Sequence, residues 1–376
     1  MNAPVSKVVL VGPTPPPVHG VSQAIGWLVD SATLADGLQI LHLDTSDRRS
    51  SENLGHVDLR NVVIGLRNVA GMLRLCAREK PCLMYYTLSQ NTPALLRDAA
   101  LVAAARPFGV RCVVQLAGCH YSDLAAKGGV AGRLIGRALD QAALVLVLGP
   151  SQIRPLMKVL KHDRVSVAPN GLPIPSSMQP KKAAPGPCRF LYLGWLAPSK
   201  GVLAAVQALG YVLKSGRSFT ATFAGSWPNG EQRSVITAAV QDLGLCGVVH
   251  FPGIVLGEEK AALLRESDVY LLPSFGEGQP VSIIEAMAYG LPVISTRVGA
   301  VPDTVADGET GILVQPGDIV SLVDAIIRLI DNADTRQAFG RAGRLRFLEE
   351  FTLERSHEVL RENLKRAAAS RCAPRS

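Results

Sequence analysis

The residues best suited to chemistry lie between Pro273 and Thr296, in the stretch PSFGEGQPVSIIEAMAYGLPVIST. Two carboxylates, Glu277 and Glu285, flank a glycine-rich turn that opens into a predicted helix. Pro280 fits the first helical turn, where its missing N–H costs little. Gly290, followed by Pro292, closes the helix. The main-chain N–H groups of Gly278, Gln279 and Val281 then lie near a helix N-terminus, where partial positive charge collects and an anion such as phosphate is favoured. The carboxylates suit a different task, accepting hydrogen bonds from the hydroxyls of a sugar or ribose. Phosphate and hydroxyls held together suggest a nucleotide-sugar. Glu285 stands among Val281, Ile283, Ile284, Ala286, Met287 and Ala288, so its carboxylate is expected to need a partner. The competing structural reading pairs it with an arginine.

Three further motifs carry candidate residues. In GWLAPSKGV, Gly194 to Val202, Lys200 stands beside Gly201 at a helix entrance and could reach a phosphate as a compact charge with three donors. In VGPTPPPVHGVSQA, Val11 to Ala24, a strand runs into a proline-rich loop and Gly20 opens a helix, where a missing side chain lets backbone approach a ligand. The competing reading there is a proline-stiffened connection. In VVQLAGCHYSDL, Val113 to Leu124, His120 follows a strand end and could act on a proton or bind an acceptor hydroxyl. Other chemistries lack their signatures. There is no G-x-G-x-x-G, no G-x-x-x-x-G-K-[ST] and no G-x-S-x-G. There is also no D-x-D to grip a divalent cation at a diphosphate, and no metal-ligand spacing, so no metal or other cofactor is expected.

These residues need a scaffold that brings strand ends together. At 376 residues the chain is expected to form two domains. Short β-branched runs near Val8–Val11, Gln39–Leu43, Cys82–Tyr86, Arg111–Leu116, Leu144–Leu148 and Val165–Ala168 alternate with stretches long enough for helices. The alternation restarts at Phe190–Leu193, Thr220–Ala224, Val248–Phe251, Val269–Leu272 and Pro292–Ser295, and from about Asp318 the chain is predicted helical. Such a pattern builds parallel sheets covered on both faces. Between the two series lies LPIPSSMQPKKAAPGP, with five prolines and no apolar period, read as a linker. The expected organisation is an N-terminal acceptor-side Rossmann-like domain over 1–171, a linker over 172–187, and a C-terminal nucleotide-sugar-binding domain over 188–350. A basic amphipathic C-terminal helix over 351–376 is expected to pack back on the N-terminal domain. The fold class is α/β, two doubly wound sheets facing a central cleft with ligands at the carboxyl ends of the strands.

The formal charge of +8 is uneven: residues 1–180 hold 18 Lys and Arg against 11 Asp and Glu, residues 181–376 hold 21 against 20. The basic first half favours an anionic partner there, a charged acceptor or a membrane surface. Arg60, Arg67, Arg74, Arg78 and Lys80 form a basic stripe among Val, Leu and Met that could sit on anionic lipid; a solvated amphipathic helix is the alternative. Positive charge is not interleaved with aromatics, which speaks against nucleic acid. Seven cysteines form no C-x-x-C pair and read as reduced, mostly buried thiols. The run Val8 to Val11 is too short for a signal-peptide core, and no segment approaches 18 uninterrupted apolar residues. A cytoplasmic protein, peripheral at the inner face of the plasma membrane, is the resulting expectation.

Taken together, the motifs resemble the family-4 retaining glycosyltransferases (group 1 glycosyltransferases), which have the GT-B fold. The resemblance runs in order through the Gly194–Gly201 segment, Gly225, Phe251–Gly253, PSFGEG, EAMAYGLPVIST and VGAVPDTVADGETGILVQPGD, and includes VAPNG at Val167–Gly171. The first domain matches loosely. The resemblance implies that Lys200 contacts the donor diphosphate, Glu277 the hydroxyls of the transferred sugar and Glu285 the ribose. The turn at Gly278–Val281, with Gln279, would bind phosphate through its backbone, the Gly20 loop would approach the donor, and the loop from Gly253 to Val255 would contact the base. Two positions depart from the family. Its arginine five residues before the lysine is Trp195 here, and its first-domain histidine position aligns with Ala117, three residues before His120.

On this resemblance the chain is expected to be a hexosyltransferase, metal-independent and retaining. It would move a hexose from a UDP- or GDP-linked donor to a glycan or lipid-linked acceptor in bacterial polysaccharide or glycolipid synthesis. Lys200 and the helix terminus would stabilise the departing diphosphate, with Glu277 and His120 as further catalytic candidates. The glutamates need not be the acid–nucleophile pair of a retaining glycosidase. The alternatives are a nucleotide-sugar epimerase of the same fold and a non-catalytic nucleotide-sugar-binding protein.

Overall fold

The apolar runs become short parallel strands, and the inner ones, such as Val8–Val11, Leu83–Tyr86 and Val269–Leu272, are buried along their length. The structure is a computed structural model that describes residues 5–16, 20–48, 59–175 and 186–370. The first sheet holds β1 (Ser6–Gly12), β2 (Leu38–Asp44), β3 (Leu83–Thr87), β4 (Arg111–Gln115), β5 (Leu144–Val147) and β6 (Val165–Val167). The second holds β7 (Cys188–Leu193), β8 (Phe219–Ala224), β9 (Val249–Gly253), β10 (Val269–Leu272), β11 (Val293–Thr296) and β12 (Gly311–Val314). Their orders are β2-β1-β3-β4-β5-β6 and β12-β11-β10-β7-β8-β9, and the pairings are parallel.

Strand periodicity sorts the core of the first sheet into two halves. Val9, Val11, Met84, Tyr86, Cys112 and Val114 face one helical layer. Val8, Leu10, Leu83, Tyr85 and Val113 face the other. Successive residues of each strand thus go to opposite faces, as a pleated strand requires. In the second sheet Phe190, Tyr192, Phe219, Phe223 and Tyr270 are fully buried, and the Tyr192 and Phe223 rings stack with centroids 5.3 Å apart. GILV at β12 was not among the expected strands. It has only four residues and starts with glycine, so no alternation marks it.

The chain divides into two units, Met1–Pro169 with Glu354–Ser376, and Asn170–Leu353. The division falls at Pro169/Asn170, before the proline-rich stretch expected as the linker. Residues 176–185 of that stretch lie outside the described residues. Leu172 belongs to the second unit, where it bridges Thr352: its N–H donates to the Phe351 carbonyl at 2.9 Å and its carbonyl accepts from the Leu353 N–H at 2.7 Å. The helix Leu353–Ala369 then joins the first unit from Glu354 onward. Leu360, Leu364 and Ala367 enter the layer with Val8 and Leu10, and Asn363 Nδ2 donates to the Val167 carbonyl at 3.1 Å. Among the described residues no helix is long and apolar enough to cross a membrane.

Candidate functional site

Strand order locates the site of the second unit. In its sheet β7 lies beside β10, while β8 and β9 run to one side and β11 and β12 to the other. The order reverses between β7 and β10, and in open parallel sheets the crevice at such a reversal, outside the carboxyl ends of the strands, holds ligands. The loops leaving these two strands are Gly194–Gly201 and Pro273–Pro280, the two motifs richest in candidate residues.

The two loops are fastened to each other. The Phe275 N–H donates to the Ser199 carbonyl at 2.8 Å. Gly201 adopts φ +73°, and a Cβ built there would stand 1.9 Å from the Pro273 carbonyl oxygen, so only glycine fits. Across this junction Lys200 Nζ donates to Glu277 Oε1 at 2.7 Å. Ser274 Oγ donates to the same oxygen, also at 2.7 Å. Glu277 is 7% exposed and the Lys200 side chain 29%. The carboxylate is therefore buried but paired and hydrogen-bonded, which removes the penalty a lone buried charge would carry.

The glycine-rich turn is held from behind. Gln279 is buried, its Oε1 accepts from the Asn170 N–H at 2.7 Å, and its Nε2 donates to Thr304 Oγ1 at 3.0 Å. Its side chain is thus a brace, and only its main chain can serve a ligand. No hydrogen bond from the N–H of Gly278, Gln279 or Val281 occurs among the described residues. These donors stand at the start of the helix Val281–Ala288, capped by Pro280 without a side-chain hydrogen bond. Unsatisfied N–H groups at a helix start form an anion-binding arrangement.

Glu285 has the partner expected of it, and it lies on the accessible face of its helix. Ile283, Ile284, Ala286, Met287 and Ala288 are buried, whereas Val281, Ser282, Glu285 and Tyr289 form the one accessible stripe of this helix. Neighbours in sequence are 100° apart on a helix, so apolar flanks do not bury a residue between them. Its partner is Lys260 rather than an arginine: Lys260 Nζ donates to Glu285 Oε1 at 2.6 Å. Lys260 comes from the helix Gly257–Glu266 and was not singled out in the sequence, nor were Ser274, Asn170 and Thr304. No spacing signal connects residues that meet only through tertiary packing; Ser274, three residues before Glu277, was the one within reach of local reasoning.

Tyr192, on β7, ties the first loop together. Its hydroxyl donates to the Trp195 carbonyl at 3.0 Å and stands 3.4 Å from the Lys200 carbonyl. Burial pushes its phenol far up, so it stays a donor. Gly253 ends the edge strand β9 at φ +89°, and its carbonyl accepts from the Gly225 N–H at 2.7 Å. Ile254 beyond it is exposed, whereas Val255 is buried.

The first-domain candidates sit in the first unit. Gly20 begins the helix Gly20–Val29, and a Cβ there would meet nothing within 4 Å, so its backbone is open to approach. Its loop follows β1, at the reversal of strand order between β1 and β3. His120 precedes the helix Tyr121–Lys127, beyond β4, with its side chain exposed and Nδ1 3.6 Å from Asp123 Oδ2.

Residues 174–346 match the family described as "Glycosyl transferases group 1". The D-inositol 3-phosphate glycosyltransferase of Paenarthrobacter aurescens is 29% identical over 252 residues, 64% of this chain and 61% of that one. The chain thus spans about three fifths of the length of that curated relative. Among solved structures, the sucrose-phosphate synthase of Thermosynechococcus elongatus superposes with a TM-score of 0.77 at 19% identity, covering 97% of this chain and 100% of that one. HepE of Anabaena in complex with UDP-glucose gives 0.69 at 17% identity, covering 96% and 99%. The fold is GT-B, and residues 174–346 are similar to the group 1 glycosyl transferases.

Proposed function

We propose that the chain is a retaining glycosyltransferase that transfers a hexose from a UDP- or GDP-linked donor to a glycan or lipid-linked acceptor, without a metal ion. The observation that carries this reading is the Lys200–Glu277 pair at the reversal of strand order, beside N–H donors at a helix start. Lys200 and these donors would take the diphosphate and stabilise the charge that develops on it as the anomeric bond breaks. Glu277, freed from Lys200 by the phosphate, would accept hydrogen bonds from the sugar hydroxyls, and Glu285 from the ribose. Retention would follow from same-face attack, the leaving phosphate taking the acceptor's proton. The relative named D-inositol 3-phosphate glycosyltransferase supports glycosyl transfer, and the neighbour solved with UDP-glucose supports a nucleotide-sugar donor.

The acceptor side falls to the first unit, with His120 as the candidate for an acceptor hydroxyl and the Gly20 loop as the candidate approach to the donor. A lipid-linked acceptor would be met at a membrane surface. In the helix Leu59–Glu79, Arg60, Arg67, Arg74 and Arg78 recur at seven, seven and four residues, which places them on one stripe. All four are exposed, with Val63, Leu66 and Leu73 exposed on the adjoining flank. Basic residues beside apolar ones suit the interface of an anionic bilayer. Work in bacterial polysaccharide or glycolipid synthesis at the inner face of the plasma membrane would match this chemistry.

A thermal-shift panel of UDP, GDP and their sugars tests the donor, since a ligand that binds only the folded state raises Tm. Transfer from the stabilising donor should continue in EDTA; complete loss there would return the mechanism to a metal. Sedimentation with phosphatidylglycerol vesicles at low salt tests the membrane surface, and protein left in the supernatant would remove it.

A further inference from the structure

Trp195 is 52% exposed on the loop leaving β7, although a tryptophan is among the costliest side chains to leave in water. Its loop is fixed. Gly194 N–H donates to the Ala224 carbonyl at 3.0 Å and Leu196 N–H to the Ser226 carbonyl at 2.8 Å. The buried Tyr192 hydroxyl, within reach of the Trp195 and Lys200 carbonyls, holds the main chain at these two residues side by side. A second aromatic, Phe275, is 49% exposed. It is bonded through its N–H to Ser199 and precedes Glu277 by two residues. Both solvent-facing aromatics therefore stand on the two fastened loops that carry Lys200 and Glu277, and the Phe275 ring lies beside Gly317.

Sugars have two kinds of surface. Their hydroxyls need directed polar partners, and the C–H groups on a ring face pack against apolar area, for which an aromatic ring is well shaped. A buried carboxylate on a loop fastened to one that bears an exposed tryptophan offers both. We propose that Trp195 forms the platform on which a pyranose ring lays its C–H face while Glu277 takes its hydroxyls. The inference rests on the glycosyltransferase reading and extends it by naming the specificity-determining surface. The ring can come from the donor or from the acceptor.

Trp195→Ala and Trp195→Phe, each checked for wild-type Tm, separate the cases. Calorimetric titration with UDP, UDP-glucose, GDP and GDP-mannose reads the donor. Saturation-transfer NMR with methyl α-glucopyranoside and methyl α-mannopyranoside reads an acceptor-like ring. All three proteins are expected to bind the nucleoside diphosphate within about twofold of one another. If the donor ring packs here, Trp195→Ala loses about tenfold in affinity for the sugar nucleotide, roughly 1.4 kcal/mol, and Trp195→Phe regains most of it. If the acceptor ring packs here, the sugar-nucleotide affinity is unchanged and the methyl hexoside signal disappears in Trp195→Ala only. Wild-type behaviour of Trp195→Ala in both arms, with the nucleoside diphosphate bound, overturns the platform and leaves the glycosyltransferase reading standing. A wild-type protein that binds no nucleotide removes that reading and the platform with it.

Discussion

The α-carbon of Gly299 lies against the carbonyl of Glu277, so closely that a Cβ built on it would stand 1.8 Å from that oxygen, at φ +53°. Next to it the Ala300 N–H donates to the Gly278 carbonyl at 2.7 Å. The segment after β11 therefore buttresses the turn after β10 and sets the height of Glu277 above the sheet. Gly299→Ala should cost roughly 2–4 kcal/mol, from a strained backbone and a displaced turn. A urea melt reads this as a lower midpoint; an unchanged midpoint would contradict the contact.

Lys200 and Glu277 depend on each other before any ligand arrives. Lys200→Ala leaves a buried carboxylate with Ser274 alone and is expected to destabilise the chain by about 1–3 kcal/mol, less than for a fully buried pair because the lysine is partly exposed. Adding Glu277→Gln removes the unpaired charge and should restore most of the loss. Activity should not follow stability. Lys200→Ala and Glu277→Ala should each lower transfer by roughly 10²-fold, the scale of removing a group that stabilises developing charge. The double variant Lys200→Ala/Glu277→Gln, stable yet inactive, would separate the two roles, and recovered transfer in it would refute the assignment.

Glu285 is placed to affect binding more than the bond-breaking step. Its carboxylate lies on the accessible stripe of its helix, paired with Lys260. Glu285→Gln should raise the Kd of the nucleotide donor about tenfold, the scale of a hydrogen bond to a charged group, with kcat changed little. Steady-state kinetics distinguishes the outcomes. A fall in kcat at constant KM would move Glu285 from ribose ligand to a role in the transition state.

His357 makes the docking of the C-terminal helix sensitive to acid. It is buried, with Nδ1 2.7 Å from Ser31 Oγ, and burial pushes its imidazole from 6.5 down to about 4. The unfolded chain therefore binds this proton more readily than the folded one. Its contribution to stability is complete above pH 6.5 and is lost as the pH falls towards 4, at about 1.4 kcal/mol per pH unit and about 3 kcal/mol in all. Thermal melts between pH 7.5 and 4.5 should show wild type losing more Tm than His357→Gln. Parallel loss in the two proteins would exclude His357 as the cause.

Much of the architecture was readable because parallel strands buried on both faces leave apolar β-branched runs, such as Val8–Val11 and Leu144–Leu148, that local composition reveals. GILV failed that test because burial at β12 comes from its neighbour β11 and the surrounding helices rather than from its own pattern. The PSFGEG turn was legible because a glycine-rich turn entering a helix has a local electrostatic meaning. Lys260 was not, since it reaches Glu285 from a helix 25 residues upstream, and neither residue type nor spacing predicts that meeting. The need of Glu285 for a partner was legible from its apolar neighbours, whereas its place on the accessible stripe was not, because a linear list of neighbours is not a helical face. Gln279 entered the sequence argument for its N–H, and the structure shows its side chain at work elsewhere, on Asn170 and Thr304.

The bridge between Leu172 and Thr352 has a consequence for synthesis on the ribosome. It joins the two ends of the second unit, so that unit is one uninterrupted piece of chain with its termini side by side. The first unit is the interrupted one. Its layer around Val8 and Leu10 needs Leu360 and Leu364, which leave the ribosome after the whole of the second unit. Although domains usually form in order of emergence, the earlier-made half here must wait for its last helix, and a truncation before Glu354 should spare the second unit while leaving the first with an open core.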